Sequence, residues 1–579
     1  RSERLPLLKD KRKKKVSKIK ILFCLFVHVL LLNIVIQSKI LKDYGKKYAN
    51  FYTKTFKQSD PVTKPNIIFI LCDDLAYNDV GWAMDDFKGL TPNLDNLKQK
   101  SIEFENYYSQ HICTPARAAL LTGRYPYKTG MQASVILAAE KWGLPLEFKI
   151  LPQYLNDFNY QSFAVGKWNL GHSRVDQLPQ SRGFDKFYGY LTSDEHYYSH
   201  TNLASPYVDF MDGKSGNTTD PQSTYECVNE KGKYSANLHT NRALEYIDEW
   251  EKSEEKVPTF LYLAFQNPHY PLEPSNKIDY SSVQSILDEI KDPDRQKAAR
   301  LVYSLDIEVK RVYERLESSG MMDNSILVFA GDNGGCPKYG TSSYPLRGTK
   351  GHTFEGGTKV RSFIYSPLLK NKKNEMYKGL FHVTDWVPTL MDAVSPGWSG
   401  HEDLGLSYGL DGKSHWEALL SGNMESDVRT DFVYNIEFLP NMHSVNDSKL
   451  MPRGAIRKGD WKLILNQPCQ VWEDVGGRYS TPNYTTQCKS IPYKCSIDAR
   501  LYDSSEVDVG DWLFNIKEDP FETNNLINER TDITAELKAS MHNLITETYP
   551  RVSIENNRGT LQNAVARWKE QGCISPWIK

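Results

Sequence analysis

The runs Ile67-Ile68-Phe69-Ile70-Leu71 and Ile326-Leu327-Val328-Phe329 each lead into oxygen-bearing side chains. Cys72-Asp73-Asp74 follows the first, and Ala330-Gly331-Asp332-Asn333-Gly334-Gly335 follows the second. Short, continuously apolar runs read as strands buried on both faces, and open α/β sheets form their ligand sites beyond the carboxyl ends of such strands. If the two strands are neighbours, Asp73, Asp74 and Asp332 crowd together. Like charges ~4 Å apart, at an effective dielectric of ~20, repel by about 4 kcal/mol per pair. A divalent cation removes that penalty. Asp73, Asp74, Asp332 and Asn333 all offer oxygen as the ligand atom, which favours calcium or magnesium over zinc. Either stretch alone reads equally well as a turn with a helix cap; the two together favour the metal.

The segment His111-Ile112-Cys113-Thr114-Pro115-Ala116-Arg117-Ala118-Ala119-Leu120-Leu121-Thr122-Gly123-Arg124 reads as a short helix. Thr114 is placed to cap it, Pro115 suits its first turn, and Gly123 ends it. Cys113 then sits just ahead of a helix N-terminus, where free backbone N–H groups and the helix dipole favour an anion. Arg117 lies one turn in and can reach the same spot. A buried structural cysteine beside a solvated arginine fits the local pattern equally.

The elements that must position these residues follow from the same patterning. Ser162-Phe163-Ala164-Val165 and Phe260-Leu261-Tyr262-Leu263 are two more buried strands. Between strands, residues 298–320 place Leu301, Leu305, Val309, Val312 and Leu316 on one helical face, with Gly320 as a stop. This predicts an α/β domain over 64–430, a large doubly wound sheet, parallel or mixed, flanked by helices. After about residue 430 a hairpin over 454–465, turning at Lys458-Gly459-Asp460, and an amphipathic helix over 531–548 predict a C-terminal subdomain, 431–579. It is read as a small antiparallel sheet with one helix packed on it.

At 579 residues with a net charge of -1, the chain suits one large domain and a satellite, and it lacks the basic stripe a nucleic-acid partner requires. The first 40 residues pair a basic stretch, Lys11 to Lys15, with an apolar run from Ile21 to Ile36. That is the pattern of a secretory signal, or of a retained signal-anchor that would hold the chain at a membrane; residues 41–63 read as a linker. The sequons at Asn217, Asn446 and Asn483 agree with a lumenal, lysosomal or extracellular catalytic domain. Cys469, Cys488 and Cys495 lie close together with Cys573 near the end, and spacing alone assigns no pairs.

Cys113-Thr114-Pro115-Ala116-Arg117, followed by Leu121-Thr122-Gly123-Arg124, resembles the C-x-P-x-R…TGR signature of the sulfatases. Gly166-Lys167-Trp168, His269, Asp332-Asn333-Gly334-Gly335, Leu346-Arg347-Gly348-Thr349-Lys350 and Glu355-Gly356-Gly357 follow in family order. The resemblance runs from about residue 64 to the end. It is closest to the arylsulfatase B group, through Gly183-Phe184-Asp185, Tyr197-Tyr198-Ser199-His200 and Asp519-Pro520-Phe521-Glu522.

It implies the alkaline-phosphatase-like sulfatase fold. It also implies a Cys113 oxidised to formylglycine by the formylglycine-generating enzyme, and calcium held by Asp73, Asp74, Asp332 and Asn333 together with the modified Cys113. One hydroxyl of the aldehyde hydrate would attack the sulfur, and loss of the other's proton would then expel sulfate. Arg117 would hold the hydrate, Lys167 and Lys350 would neutralise sulfate oxygens, and His269 would protonate the leaving alcohol. The implied substrate is an aryl sulfate or a sulfated carbohydrate such as N-acetylgalactosamine 4-sulfate.

One position departs from the family. Gly-Lys-x-His-Leu-Gly is usual, and here the chain reads Gly166-Lys167-Trp168-Asn169-Leu170-Gly171. Asn169 can hydrogen-bond but cannot take a proton into a cation, so slowed sulfate release is expected. Two other functions stand beside the sulfatase reading. A phosphate ester hydrolase of the same superfamily would carry Ser or Thr as nucleophile and more His and Asp. A silent glycan-binding relative has Asn169 for it, and Cys113, Arg117, Lys167, His269 and Lys350 against it.

Overall fold

The computed structural model describes residues 64–83, 85–216, 225–369, 374–398, 409–437, 453–470, 472, 509–545 and 560–578. The basic and apolar N-terminal segments, the linker, the three sequons, Cys488 and Cys495 lie outside them. Among the described residues no helix is long and apolar enough to cross a membrane.

The four apolar runs are the strands β1 (Asn66–Asp73), β3 (Gln161–Lys167), β7 (Thr259–Pro268) and β8 (Ser325–Gly331). They lie side by side in the order β8-β1-β7-β3, all parallel. A ten-stranded sheet is completed by β2 (Ile102–Tyr108), β4 (Lys186–Tyr190), β5 (Met211–Lys214), β6 (Tyr225–Cys227), β9 (Ser362–Tyr365) and β10 (Glu375–His382). β9 runs antiparallel to β8 and β2, and β5 and β6 form an antiparallel edge. The sheet is therefore mixed around a parallel centre.

Both faces of that centre are covered, as unbroken apolarity requires. One face carries helices α3 (Ser235–Lys252) and α4 (Pro293–Ser318), following α1 (Pro92–Gln99) and α2 (Cys113–Thr122) in the chain. The predicted stripe Leu301, Leu305, Val309, Val312, Leu316 of α4 is buried against Ile68, Ile70, Leu261, Leu263 and Phe329. Pro293 opens α4, and the Asp292 carboxylate caps it by accepting from the Asp294 and Arg295 amides. On the other face Phe69 meets Trp386 of α5 (Trp386–Val394) edge-on at 5.5 Å.

The predicted hairpin is present. β12 (Arg453–Lys458) and β13 (Trp461–Pro468) pair antiparallel and, with β11 (Asp431–Glu437) and β14 (Val509–Asn515), form a four-stranded sheet. Helix α6 (Thr531–Ile545) packs on it through Leu537 and Met541. The described end of the chain does not stay with this sheet as expected. Helix α7 (Thr560–Gln571) and the residues after it return to the large-sheet body: Trp568 is buried with Ala138, the Ile574 amide donates to Val208 O at 2.7 Å, and Cys573 forms a disulfide with Cys227. A cysteine partner 346 residues away is invisible to local spacing. Cys336 and Cys469 are disulfide-bonded as well.

Candidate active site

The carboxyl ends of β1, β8, β7 and β3 meet at one point, and each brings chemistry. β1 ends in a register irregularity at Cys72/Asp73, after which Asp74 takes the left-handed conformation (φ 60°). The turn is fastened to β8: the Asp74 amide donates to Asp332 Oδ1 at 3.1 Å and the Asp332 amide to Cys72 O at 3.0 Å. Asp73, Asp74 and Asp332 thus crowd together as the two distant stretches predicted. Ligand atoms of Asp73, Asp74, Cys113 and His269 lie within 4.8 Å of one another.

Cys113 is the first residue of α2, with Ile112 at the cap position, not just ahead of it. Thr114 does not cap the helix; its hydroxyl donates to Asn169 Oδ1 at 2.5 Å and accepts from the Ile136 amide. Gly123 closes the helix in the left-handed conformation as expected (φ 66°). The Cys113 thiol donates to Asp73 Oδ1 at 3.3 Å. Burial, then the Asp73 charge, pushes it well above the ordinary thiol range, so it stands as a neutral thiol.

Cations surround this thiol. Arg117, fully buried, donates to Asp332 Oδ2 at 2.8 Å and to Lys167 O at 3.2 Å, and lies 3.6 Å from Asp73 Oδ1. Lys167 pairs with Asp73 Oδ2 at 2.6 Å, and Lys350 with Asp74 at 2.6 Å. Lys167 reaches the site because Gly166 precedes it at φ 96°; a Cβ there would stand 2.0 Å from Ala264 O of the next strand. The loop carrying Asn333 is equally tight. A Cβ on Gly334 would meet Gly356 O at 2.0 Å, and one on Gly356 would meet Gly348 O at 2.2 Å, so each position requires glycine.

His269 follows β7 directly. Its Nε2 lies 3.6 Å from Asp74 Oδ2, and its Nδ1 is 2.5 Å from Tyr270 O. A carbonyl can only accept, so Nδ1 carries the hydrogen and Nε2 is the nitrogen free to exchange a proton.

The electrostatics follow from burial and neighbours. Burial raises the Asp73 carboxyl, but Lys167, His269, Arg117 and Lys350 outweigh it and hold it below the usual carboxylate range. Burial and then Asp73 push Asp332 up against the partial relief of Arg117 and Lys167. Burial lowers the Lys350 amine, yet Asp74 and the other negative groups hold it above its ordinary value. Burial lowers His269.

The site also tests the predicted cation. Three carboxylates and one amide converge, all offering oxygen, and Asn333 Oδ1 is buried without a hydrogen-bond partner among the described residues while its Nδ2 donates to Asp74 Oδ1. An orphaned oxygen beside crowded carboxylates fits a hard divalent ion.

A family model described as Sulfatase matches residues 65–396. The chain belongs to the sulfatase family. As a sulfatase it is a sulfuric ester hydrolase, and its similarity to curated relatives is broad. It is 34% identical over 499 residues to arylsulfatase J of Mus musculus, covering 82% of this chain and 75% of that protein. It is 29% identical over 326 residues to N-acetylgalactosamine-6-sulfatase of Homo sapiens, covering 52% and 57%. The fold is shared with the PsFucS1 sulfatase of a Pseudoalteromonas species at TM-score 0.65 and 20% identity, over 89% of this chain and 96% of that one.

The expected residues are brought together, Asn169 through Thr114, the residue after Cys113, and not through Cys113 itself. Asn169, held in the left-handed conformation (φ 53°), spends its amide on Thr114 and on Ile136 O. His172, three residues on, does not replace the missing histidine: it contacts Ala138 O at 2.8 Å, packs on Trp577, and burial pushes it down to about 4. Sequence reasoning missed Tyr262, whose hydroxyl lies 3.5 Å from Arg117 Nη1. The available signal was a tyrosine inside an otherwise apolar strand.

Proposed function

We propose that this sulfatase acts on sulfated sugars, with Cys113 matured to formylglycine and calcium held by Asp73, Asp74, Asp332 and Asn333. The observation that carries the reading is the Cys113 side chain, at the start of α2 and 3.3 Å from Asp73, ringed by Arg117, Lys167, Lys350 and His269. When present, the formylglycine hydrate supplies the nucleophilic hydroxyl and calcium the positive charge that polarises the ester.

The chain's own residues supply the rest. Three carboxylates and three permanent cations balance without ligands, so a divalent cation would leave the site positive, and a singly charged sulfate ester would offset half of that charge. Asp73 and Asp74 would hold the cation, and Lys167 and Lys350, now paired with them, would then be free to face the ester oxygens, where fixed charge in a dry site acts on the developing charge. Arg117 orients position 113 from inside the fold. His269 Nε2 passes a proton to the leaving alcohol, and the incoming negative charge favours its imidazolium form. Asn169 fills the place of a base without being one.

A sulfated amino sugar such as N-acetylgalactosamine 4-sulfate is the proposed substrate. Support comes from the named relative N-acetylgalactosamine-6-sulfatase, and from a structural neighbour described in complex with D-glucosamine-2-N,6-O-disulfate at TM-score 0.55. Maturation by the formylglycine-generating enzyme places the chain in the secretory pathway, secreted, lysosomal or anchored by residues 21–36. The disulfide bonding at Cys227, Cys336, Cys469 and Cys573 supports an oxidising compartment.

Mass spectrometry of the secreted protein at Cys113, with a chromogenic aryl sulfate assay, tests the proposal. An aldehyde at Cys113, loss of about a thousandfold or more in Cys113→Ala, and loss on chelation reversed by calcium are expected. A Cys113→Ala variant as active as wild type would end it.

A further inference from the structure

Beside the site, two tyrosines from different loops stack on each other. Tyr270 and Tyr339 have ring centroids 4.3 Å apart at an interplanar angle of 27°. Tyr270 follows His269 directly in the loop after β7, and Tyr339 belongs to the loop after β8 that begins with Asp332 and Asn333. The second loop is tied to the site as well, since the Lys350 amide donates to Gly335 O at 2.9 Å.

Tyr270 is 38% exposed, while the residues next to it in the chain, His269 and Pro271, are buried. Tyr339 is half-buried beneath it; aromatic side chains normally bury their large apolar faces, and an exposed ring stacked on a second one beside a catalytic histidine marks a binding surface. Lys338 is exposed alongside, its Nζ 5.4 Å from the Tyr339 ring centroid, and it pairs with no carboxylate among the described residues.

Resting on the sulfated-sugar reading above, we propose that Tyr270 and Tyr339 form a stacking platform for the sugar next to the one that loses its sulfate. Lys338 receives an anionic substituent, a carboxylate or second sulfate, on that neighbour. The substrate class is therefore an anionic oligosaccharide, not a lone sulfated monosaccharide. Apolar C–H faces of a pyranose suit aromatic rings, and a free ammonium suits the charge of such a chain. Consecutive Cα atoms stand about 3.8 Å apart, so a platform built on Tyr270 lies within one sugar of His269.

The test compares a sulfated chondroitin tetrasaccharide with its sulfated monosaccharide on the mature enzyme. Tyr339→Ala and Tyr270→Ala lower the tetrasaccharide-to-monosaccharide ratio of kcat/KM about tenfold, through KM, and Tyr270→Phe restores it. Lys338→Ala lowers the ratio severalfold at low salt and has no effect at high salt. Equal losses on both substrates, or an unchanged ratio, overturn the platform. Calorimetric binding of the tetrasaccharide to the same variants separates the two proposals. Tenfold weaker binding in Tyr339→Ala supports the platform even if no sulfate is released, and wild-type binding no tighter than that of the monosaccharide sinks it.

Discussion

The stretch from Lys350 to Glu355 serves two buried charge clusters that look alike and behave differently. At the active site, Lys350 and Lys167 meet Asp74 and Asp73. At the junction of the two sheets, Lys462 of β13 lies 2.8 Å from both Glu355 and Glu522, all three side chains fully buried. In the junction the carboxylates are answered by the protein, with Glu522 Oε1 held by its ion pair to Lys462 and by no hydrogen bond among the described residues. Glu355 Oε1 also receives the Tyr434 hydroxyl, Oε2 receives that of Tyr108, and Glu522 Oε2 receives the Glu355 amide. At the active site Asn333 Oδ1 has no hydrogen-bond partner among the described residues, and Asp73 and Asp74 lie with a thiol and an imidazole within 4.8 Å of one another. Buried charge is common to both; a thiol and an imidazole within reach of the carboxylates mark the one equipped for chemistry.

The two lysines should therefore fail in opposite ways. Lys167→Ala should cost about a thousandfold in kcat/KM on an aryl sulfate, since it removes a fixed charge from a dry site. Its thermal stability should recover when calcium is added, because the ion takes over the charge of Asp73. Lys462→Ala leaves two glutamates buried without their direct ion pair and should cost about 3–5 kcal/mol of stability. Calcium should not restore it, and the folded fraction should remain active. Melting curves with and without calcium decide this; equal calcium rescue of both variants would erase the distinction.

A smaller effect is expected from pH. Burial and then the neighbouring Glu355 push Glu522 up to about 7, against the pull of Lys462. The folded carboxyl thus binds its proton more tightly than the unfolded chain does. Its stabilisation is complete below the unfolded value near 4.5 and is lost as pH rises through 7. Between pH 5 and pH 8 the wild type should lose about 2 kcal/mol more than Glu522→Gln, measured by denaturant unfolding. Parallel pH profiles for the two proteins would show that Glu522 is ionised throughout.

The contrast also explains what the sequence could reveal. Asp73, Asp74 and Asp332 were legible because each directly follows an unbroken apolar run, so backbone periodicity alone carries them to one edge of a parallel sheet. Cys113, Arg117, Lys167, His269 and Lys350 were legible through motif order. The junction was not. Glu355, Lys462 and Glu522 come from three separate stretches, and lysine inside a strand carries no signal of its partner. Likewise the Cys227–Cys573 bond and helix α7 depend on the chain's return to the large-sheet body, a tertiary choice that local pattern does not encode. Thr114 was misread for a related reason. Its hydroxyl had a local use, capping, and a distant one, Asn169 Oδ1, and the distant one won.

That contact sharpens the last expectation. At the junction each group's partner is a fixed charge, a hydroxyl or a backbone amide; beside Cys113, Asn169 is a neutral polar group held by Thr114 and Ile136. Its left-handed backbone suits asparagine and, less well, histidine, so replacement is sterically open at a modest cost. An imidazole there would lose the short Thr114 contact and gain a base near position 113. Asn169→His should raise kcat severalfold with little change in KM. In the wild type, rapid mixing with an aryl sulfate should give a burst of alcohol followed by slower turnover, because alcohol release precedes the step that lacks a base. In Asn169→His the burst should vanish. A wild type without a burst would mean that sulfate leaves quickly without an imidazole, and that Thr114, Asn169 and water suffice to carry the proton.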